Sequence, residues 1–255
     1  MTSALISLKD VSYRYGKESV PALDSINLDL YPGESIGVVG ESGSGKTTLG
    51  RILVGQMAPT TGSATIEGQN LSELRGRNET RRHVQLVFQD PYSSLNPRLT
   101  AVETVAEVYR HWDRAPRAVA TTRAVALLSE VGLSREAMTR RPKRLSGGQC
   151  QRVGIARALA CSPRVLIADE PTSALDVSVQ AQILNLLLDL RETHHLALVL
   201  VSHDLSVVRY VTQRALVMHR GRVVEEGNTV QLLESPQHEY TARLVDSIPG
   251  GSARP

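Results

Sequence analysis

A short apolar run, Ser35 to Val39, leads straight into Gly40-Glu41-Ser42-Gly43-Ser44-Gly45-Lys46-Thr47-Thr48, after which Leu49, Ile52 and Leu53 fall at helical spacing. The order strand, glycine loop, helix is the setting in which the pattern G-x-x-x-x-G-K-[ST] carries meaning. Glycines let backbone N–H groups converge on phosphate oxygens, and the following helix adds the positive end of its dipole. Lys46 supplies a point charge to the β- and γ-phosphates, and the Thr47 hydroxyl is a ligand for Mg²⁺. The loop therefore predicts a nucleoside triphosphate site in an α/β fold.

Bulk composition narrows what surrounds this loop. The chain has 255 residues, 41% hydrophobic and 22% charged, enough for one large domain or two small ones with a proper core. The net charge is +3, and no basic run is longer than Arg81-Arg82 or Arg140-Arg141, so no nucleic-acid footprint is expected. Only four of the 29 basic residues are lysines, and Lys46 is one of them. Cys150 and Cys161 form no CxxC pattern, which excludes a disulfide framework or thiolate metal site and fits a reducing compartment. The longest aliphatic run, Leu196 to Val201, is too short to span a bilayer.

Periodicity gives further strands at Ile6 to Val11, Ile26 to Leu30, His83 to Phe88, Val165 to Ala168, Leu196 to Val201, Ala215 to Met218 and Arg222 to Glu225. From Ala101 to about Ala160 the pattern is helical, and helices also fit Val177 to Glu192 and Asp204 to Val211. The expected architecture is an α/β nucleotide-binding core with a mainly parallel sheet, an N-terminal antiparallel β portion and an inserted helical subdomain. The expected boundaries are 1–88 and 161–248 for the core, 89–160 for the insertion and 249–255 for a flexible tail.

Two segments raise the loop above a generic phosphate site. The strand Val165 to Asp169 ends in a carboxylate that would hold Mg²⁺, and Glu170 follows where a base could orient or deprotonate water. Read alone, Asp169-Glu170 is equally an ordinary helix cap. Leu145-Ser146-Gly147-Gly148-Gln149 offers a second anion site: a capping serine, two glycines and a helix N-terminus.

With that pentapeptide between the glycine loop and Asp169, the sequence resembles the ATP-binding cassette family from about Leu5 to Ser247. The resemblance implies ATP and Mg²⁺ as cofactors, bound through Gly40, Glu41, Ser42, Gly43, Ser44, Gly45, Lys46, Thr47 and Thr48, with Thr47, Gln89 and Asp169 at the metal. It implies that Tyr15 stacks on adenine, with Tyr13 as competitor, and that Glu170, His203 and Gln89 are catalytic. Ser146, Gly147, Gly148 and Gln149 would face the ATP of a partner subunit, with Asp176 in the loop at that boundary. Cys150 departs from the family, which most often has glutamine there. His194 and His195 match nothing and read as surface residues near a helix end.

Phe88-Gln89-Asp90-Pro91-Tyr92-Ser93-Ser94-Leu95-Asn96-Pro97-Arg98 resembles the corresponding segment of the oligopeptide, dipeptide and nickel importer subfamily, and Ser235 to Leu244 resembles its C-terminal stretch, with Glu239 in place of a proline. This implies an ATPase subunit at the cytoplasmic face of the cell membrane, energising import of peptides, nickel or metal chelates. Its partners would be a second ATPase subunit, two transmembrane permeases and an extracytoplasmic solute-binding protein. The alternative is a soluble ATPase with a regulatory or assembly role.

Overall fold

The computed structural model describes residues 3–16, 19–74 and 78–247. The tail expected at 249–255 lies outside the described residues. In chain order the elements are β1 Ile6–Tyr13, β2 Leu23–Leu30, β3 Ser35–Val39, α1 Lys46–Leu53, β4 Thr61–Ile66, β5 Gln69–Asn70, α2 Glu79–Arg82 and β6 Val84–Val87. Then follow α3 Ala101–Trp112, α4 Arg117–Glu130, α5 Arg135–Met138, α6 Gly147–Leu159, β7 Val165–Asp169, α7 Val177–Thr193, β8 Ala197–Ser202 and α8 Leu205–Val211. The last elements are β9 Arg214–His219, β10 Arg222–Asn228, α9 Thr229–Glu234 and α10 Glu239–Asp246. Beyond the expected elements the structure adds β4, β5, α2, α9 and α10, and it extends β2 back to Leu23.

Two sheets result. One is antiparallel, in the order β2-β1-β4-β5, and the other is six-stranded, in the order β10-β9-β3-β8-β7-β6. In the second, β9, β3, β8, β7 and β6 are parallel, and only edge strand β10 runs antiparallel. The side-chain period of a strand explains why these apolar runs must be covered on both faces. Ile36, Val38, Val165, Ile167, Val199 and Val201 pack with α1 and the antiparallel sheet into one core. Their neighbours Val39, Leu166, Ala168, Leu198 and Leu200 join a second core built with α3, α4, α6, α7 and α8. Each fully buried Val, Leu or Ile contributes roughly 1.5–3 kcal/mol, so neither face can be left bare.

The parallel register decides where the chemistry sits. Val39 pairs with Ser202, Asp169 with Val201, and Val87 with Ala168. The carboxyl ends of β3, β8, β7 and β6 therefore finish at one level, and the residues just beyond them share one edge of the sheet, the usual crevice for ligands in open α/β sheets. The helices α3 to α6 lie between β6 and β7, which are direct neighbours in the sheet.

Candidate nucleotide site

The loop after β3 needs its glycines for two reasons. Gly40, Gly43 and Gly45 have φ of 151, 81 and 106°, a region that side chains rarely adopt. A Cβ on Gly40 would also stand 2.2 Å from the Met218 carbonyl oxygen, and one on Gly45 would be 2.6 Å from that of Ala22. Gly45 is the N-cap of α1 and provides no side-chain cap. The first N–H groups of α1 are thus left for an outside acceptor, as an anion site requires.

Lys46 lies buried beneath this loop, its Nζ donating to the carbonyl oxygens of Gly40 at 2.7 Å and Glu41 at 2.9 Å. Burial lowers its pKa, and the nearby charges of Glu170, Asp169 and Glu41 oppose that shift. Thr47 hydrogen-bonds the carboxylate of Asp169. One oxygen of that carboxylate, Oδ1, is buried with no hydrogen-bond partner. Burial and the adjacent Glu170 raise the Asp169 pKa, while Thr47 and Lys46 act against the rise. An orphaned carboxylate oxygen beside a threonine hydroxyl is an all-oxygen donor pair that suits a hard divalent cation such as Mg²⁺.

Glu170 is held from both sides. Gln89 Nε2 donates to its Oε2 at 2.9 Å, and His203 Nδ1 lies 3.1 Å from its Oε1. Its backbone sits at φ 44° while its N–H donates to the Val201 carbonyl, so a left-handed residue aims the carboxylate off the end of β7. Tyr15 donates to or accepts from Thr48 Oγ1 at 3.1 Å, and its ring meets Tyr13 edge-on with centroids 5.0 Å apart. Tyr15 is 37% exposed, whereas Tyr13 packs against the core.

The structure gathers Tyr15, Ser42, Lys46, Thr47, Gln89 and His203 around one cavity of about 690 Å³, together with Gly43, Gly45, Thr48 and Glu170. Gly40, Glu41, Ser44 and Asp169 do not line it; Gly40 and Glu41 reach it through their carbonyl contacts to Lys46. Ala22 also lines the cavity, which the sequence reading missed because an alanine carries no chemical signal. Tyr240, whose hydroxyl accepts a hydrogen bond from Glu41 N at 3.0 Å, was missed as well.

Ser146, Gly147, Gly148, Gln149 and Asp176 do not line this cavity. Ser146 caps α6 in a reciprocal box, Gln149 N donating to Ser146 Oγ at 3.3 Å and Ser146 N to Gln149 Oε1 at 3.0 Å. A Cβ on Gly147 would meet Leu175 at 3.0 Å, and one on Gly148 would meet Val179 at 2.5 Å. The start of α6 thus packs directly on the loop and first turn around exposed Asp176, the N-cap of α7. The segment after Gln89 is tied to the same helix: Tyr92 OH donates to Leu145 O at 3.2 Å, and Arg157 donates to Ser94 O. Cys150 is fully buried in α6, its thiol near Pro142 O at 3.6 Å. His194 and His195 are exposed at the C-terminal end of α7, as expected, and His194 Nε2 lies 2.6 Å from Glu130 Oε1, which joins that end to α4.

Fold and site together define a P-loop nucleoside triphosphatase. The profile described as "ABC transporter" matches residues 23–173, more than half of the chain. The chain belongs to the ABC transporter family and is an ATPase of that family. It is 42% identical over 97% of its length to the oligopeptide transport ATP-binding protein OppF of Lactococcus lactis subsp. lactis, covering 81% of that protein. It is 44% identical over 98% of its length to the probable D,D-dipeptide transport ATP-binding protein DdpF of Escherichia coli, covering 80% of it. Among solved structures it resembles the dimeric post-hydrolysis state of the ATP-binding cassette MJ0796 bound to ADP and Pi. There the TM-score is 0.79 at 35% identity, over 88% of this chain and 98% of that one. It also resembles cbiO1 from Clostridium perfringens, part of the ABC transporter complex cbiONQ, with a TM-score of 0.82 at 27% identity over 91% and 92%. No helix among the described residues is long and apolar enough to cross a membrane.

Proposed function

We propose that this chain is the ATP-hydrolysing subunit of an importer for peptides or related solutes, working from the cytoplasmic face of the cell membrane. The observation that carries this reading is the 42 to 44% identity, across nearly the full chain, to proteins named for oligopeptide and dipeptide transport. That identity favours transport over a soluble regulatory ATPase. Nickel and metal chelates belong to the same proposed cargo class, on the strength of the Gln89 to Arg98 segment. The proposed partners are a second ATPase subunit, two permeases and an extracytoplasmic solute-binding protein.

In the proposed mechanism the first-turn amides of α1 and the Lys46 ammonium bind the phosphates, and Tyr15 stacks on the base. Thr47, Asp169 and Gln89 would hold Mg²⁺, which supplies charge neutralisation at the phosphates. Glu170 orients the attacking water and accepts its proton, while Gln89 and His203 fix the rotamer of its carboxylate. Ser146, Gly147, Gly148 and Gln149 would close over the ATP of the facing subunit, with Asp176 at the boundary. The domain division proposed is a core of 1–88 and 161–248 with the insertion 89–160. Closure would reach the permease through the Gln89 to Arg98 segment, whose bonds from Tyr92 to Leu145 and from Arg157 to Ser94 make it move with α6.

Co-purification from detergent-solubilised membranes tests the reading: permease subunits should accompany the chain, and its recovery alone would overturn it. Measuring ATPase stimulation by a panel of loaded solute-binding proteins then identifies the cargo.

A further inference from the structure

The C-terminal segment is bound to the nucleotide loop through one peptide group. Glu41 N donates to Tyr240 OH at 3.0 Å, across 199 residues of sequence. The carbonyl of the same peptide, Gly40 O, accepts from Lys46 Nζ at 2.7 Å. A single amide plane is therefore clamped between a tyrosine hydroxyl on one side and the phosphate-binding ammonium on the other. Polarisation of an amide by one bond strengthens the other, so the two contacts support each other.

Tyr240 is built to hold that position. It is 3% exposed, and its ring lies on His219 of β9 with centroids 4.0 Å apart and planes at 36°. Its own N–H donates to His238 Nδ1 at 3.1 Å, so His238 caps α10. The two residues before α10 are anchored by Glu225 of β10, whose Oε1 accepts from Gln237 N at 2.8 Å and whose Oε2 accepts from His238 N at 3.0 Å. These contacts come from β9, from β10 and from the residue before α10, and together they leave the hydroxyl little freedom.

We propose that Tyr240 is a positioning residue of the ATP site: its hydroxyl sets the plane of the Gly40–Glu41 peptide from which Lys46 is suspended. The segment from Ser235 to α10 is thereby part of the nucleotide-binding apparatus. This rests on the reading of the loop as the ATP site. Tyr240 touches no reacting atom, so its contribution falls on nucleotide affinity and not on the chemical step.

The test compares Tyr240→Phe with the parent chain in three measurements: equilibrium binding of a fluorescent ATP analogue, KM and kcat for ATP, and melting temperature without nucleotide. Phenylalanine keeps the ring on His219 and removes only the hydroxyl. Losing one hydrogen bond of ordinary strength should raise Kd and KM roughly three- to tenfold, with kcat within about twofold. Glu225→Ala, which frees the approach to α10 without touching the loop, should raise KM in the same direction. A Tyr240→Phe chain with unchanged Kd and KM would overturn the proposal, as would a loss confined to melting temperature. Lys46→Ala separates the two levels: if it too leaves Kd unchanged, the loop is not the ATP site, whereas if it alone weakens binding, only the role of Tyr240 falls.

Discussion

Gln89 Nε2 donates to Glu170 Oε2 at 2.9 Å although 81 positions separate the two residues. The contact joins the segment that leaves the sheet after β6 to the carboxylate at the end of β7. With His203 on the other oxygen, Glu170 has its side chain fixed before any substrate arrives. A general base contributes about 10²–10⁴ in rate. Glu170→Gln should therefore still bind ATP but lower turnover by roughly that factor, as read by phosphate release at saturating ATP. Turnover at the parent rate would remove Glu170 from its role.

Lys46 is buried among carbonyls and carboxylates, so its ammonium has no competing solvent role. A hydrogen bond to a charged group is worth about 1.5–3 kcal/mol, and Lys46→Ala should weaken ATP binding by about one to two orders of magnitude. Lys46→Arg should fail to restore it, because a planar guanidinium does not fit a site shaped for a compact ammonium. Calorimetric titration with ATP checks both variants, and restored affinity in the arginine variant would count against that geometry.

The raised pKa of Asp169 has a stability consequence. Burial first, and then Glu170, make the charged form unfavourable in the folded chain. The folded state thus holds this proton more tightly than the unfolded state does. Stability is lost as pH rises from the ordinary aspartate value, about 3.9, through the raised folded value. Asp169→Asn removes that loss, so the nucleotide-free variant should melt at a higher temperature than the parent at pH 7. The difference should vanish below about pH 4. Thermal melts across pH decide it, and a lower melting temperature at pH 7 would contradict the account.

Both thiols should be inert. Burial pushes Cys150 and Cys161 up to about 11, which leaves little thiolate at pH 8. Iodoacetamide should label neither residue in the folded chain within minutes at pH 8 and both after denaturation, as read by mass spectrometry. Rapid labelling of Cys150 in the native chain would show that α6 opens locally.

The site was legible in the sequence to the extent that its chemistry is local. Gly40 to Thr48 works through its own backbone, and the strands carrying Asp169 and His203 are apolar runs that read plainly as buried. Their convergence depends on the register of β3, β8, β7 and β6, which local pattern does not encode. β4 escaped notice because Thr61-Gly62-Ser63-Ala64-Thr65-Ile66 is mostly polar, with only Ala64 and Ile66 buried. The helix start at Ser146 was readable as a cap, but the need for Gly147 and Gly148 to clear Leu175 and Val179 is a matter of packing. Tyr240 reads as an ordinary tyrosine in a short helix, because its partner Glu41 lies at the far end of the chain.

The level finish of β3, β6, β7 and β8 bears on how the molecule comes into being. Synthesis delivers the glycine loop early, Gln89 later, Asp169 and Glu170 later still, and His203 and Tyr240 near the end. A ribosome-bound fragment that stops before β8 has a complete loop but no neighbour to seat β3 against β7, since β8 lies between them. Until β8 is in place, the glycine loop after β3 and the Asp169–Glu170 pair after β7 have no common sheet to bring them together.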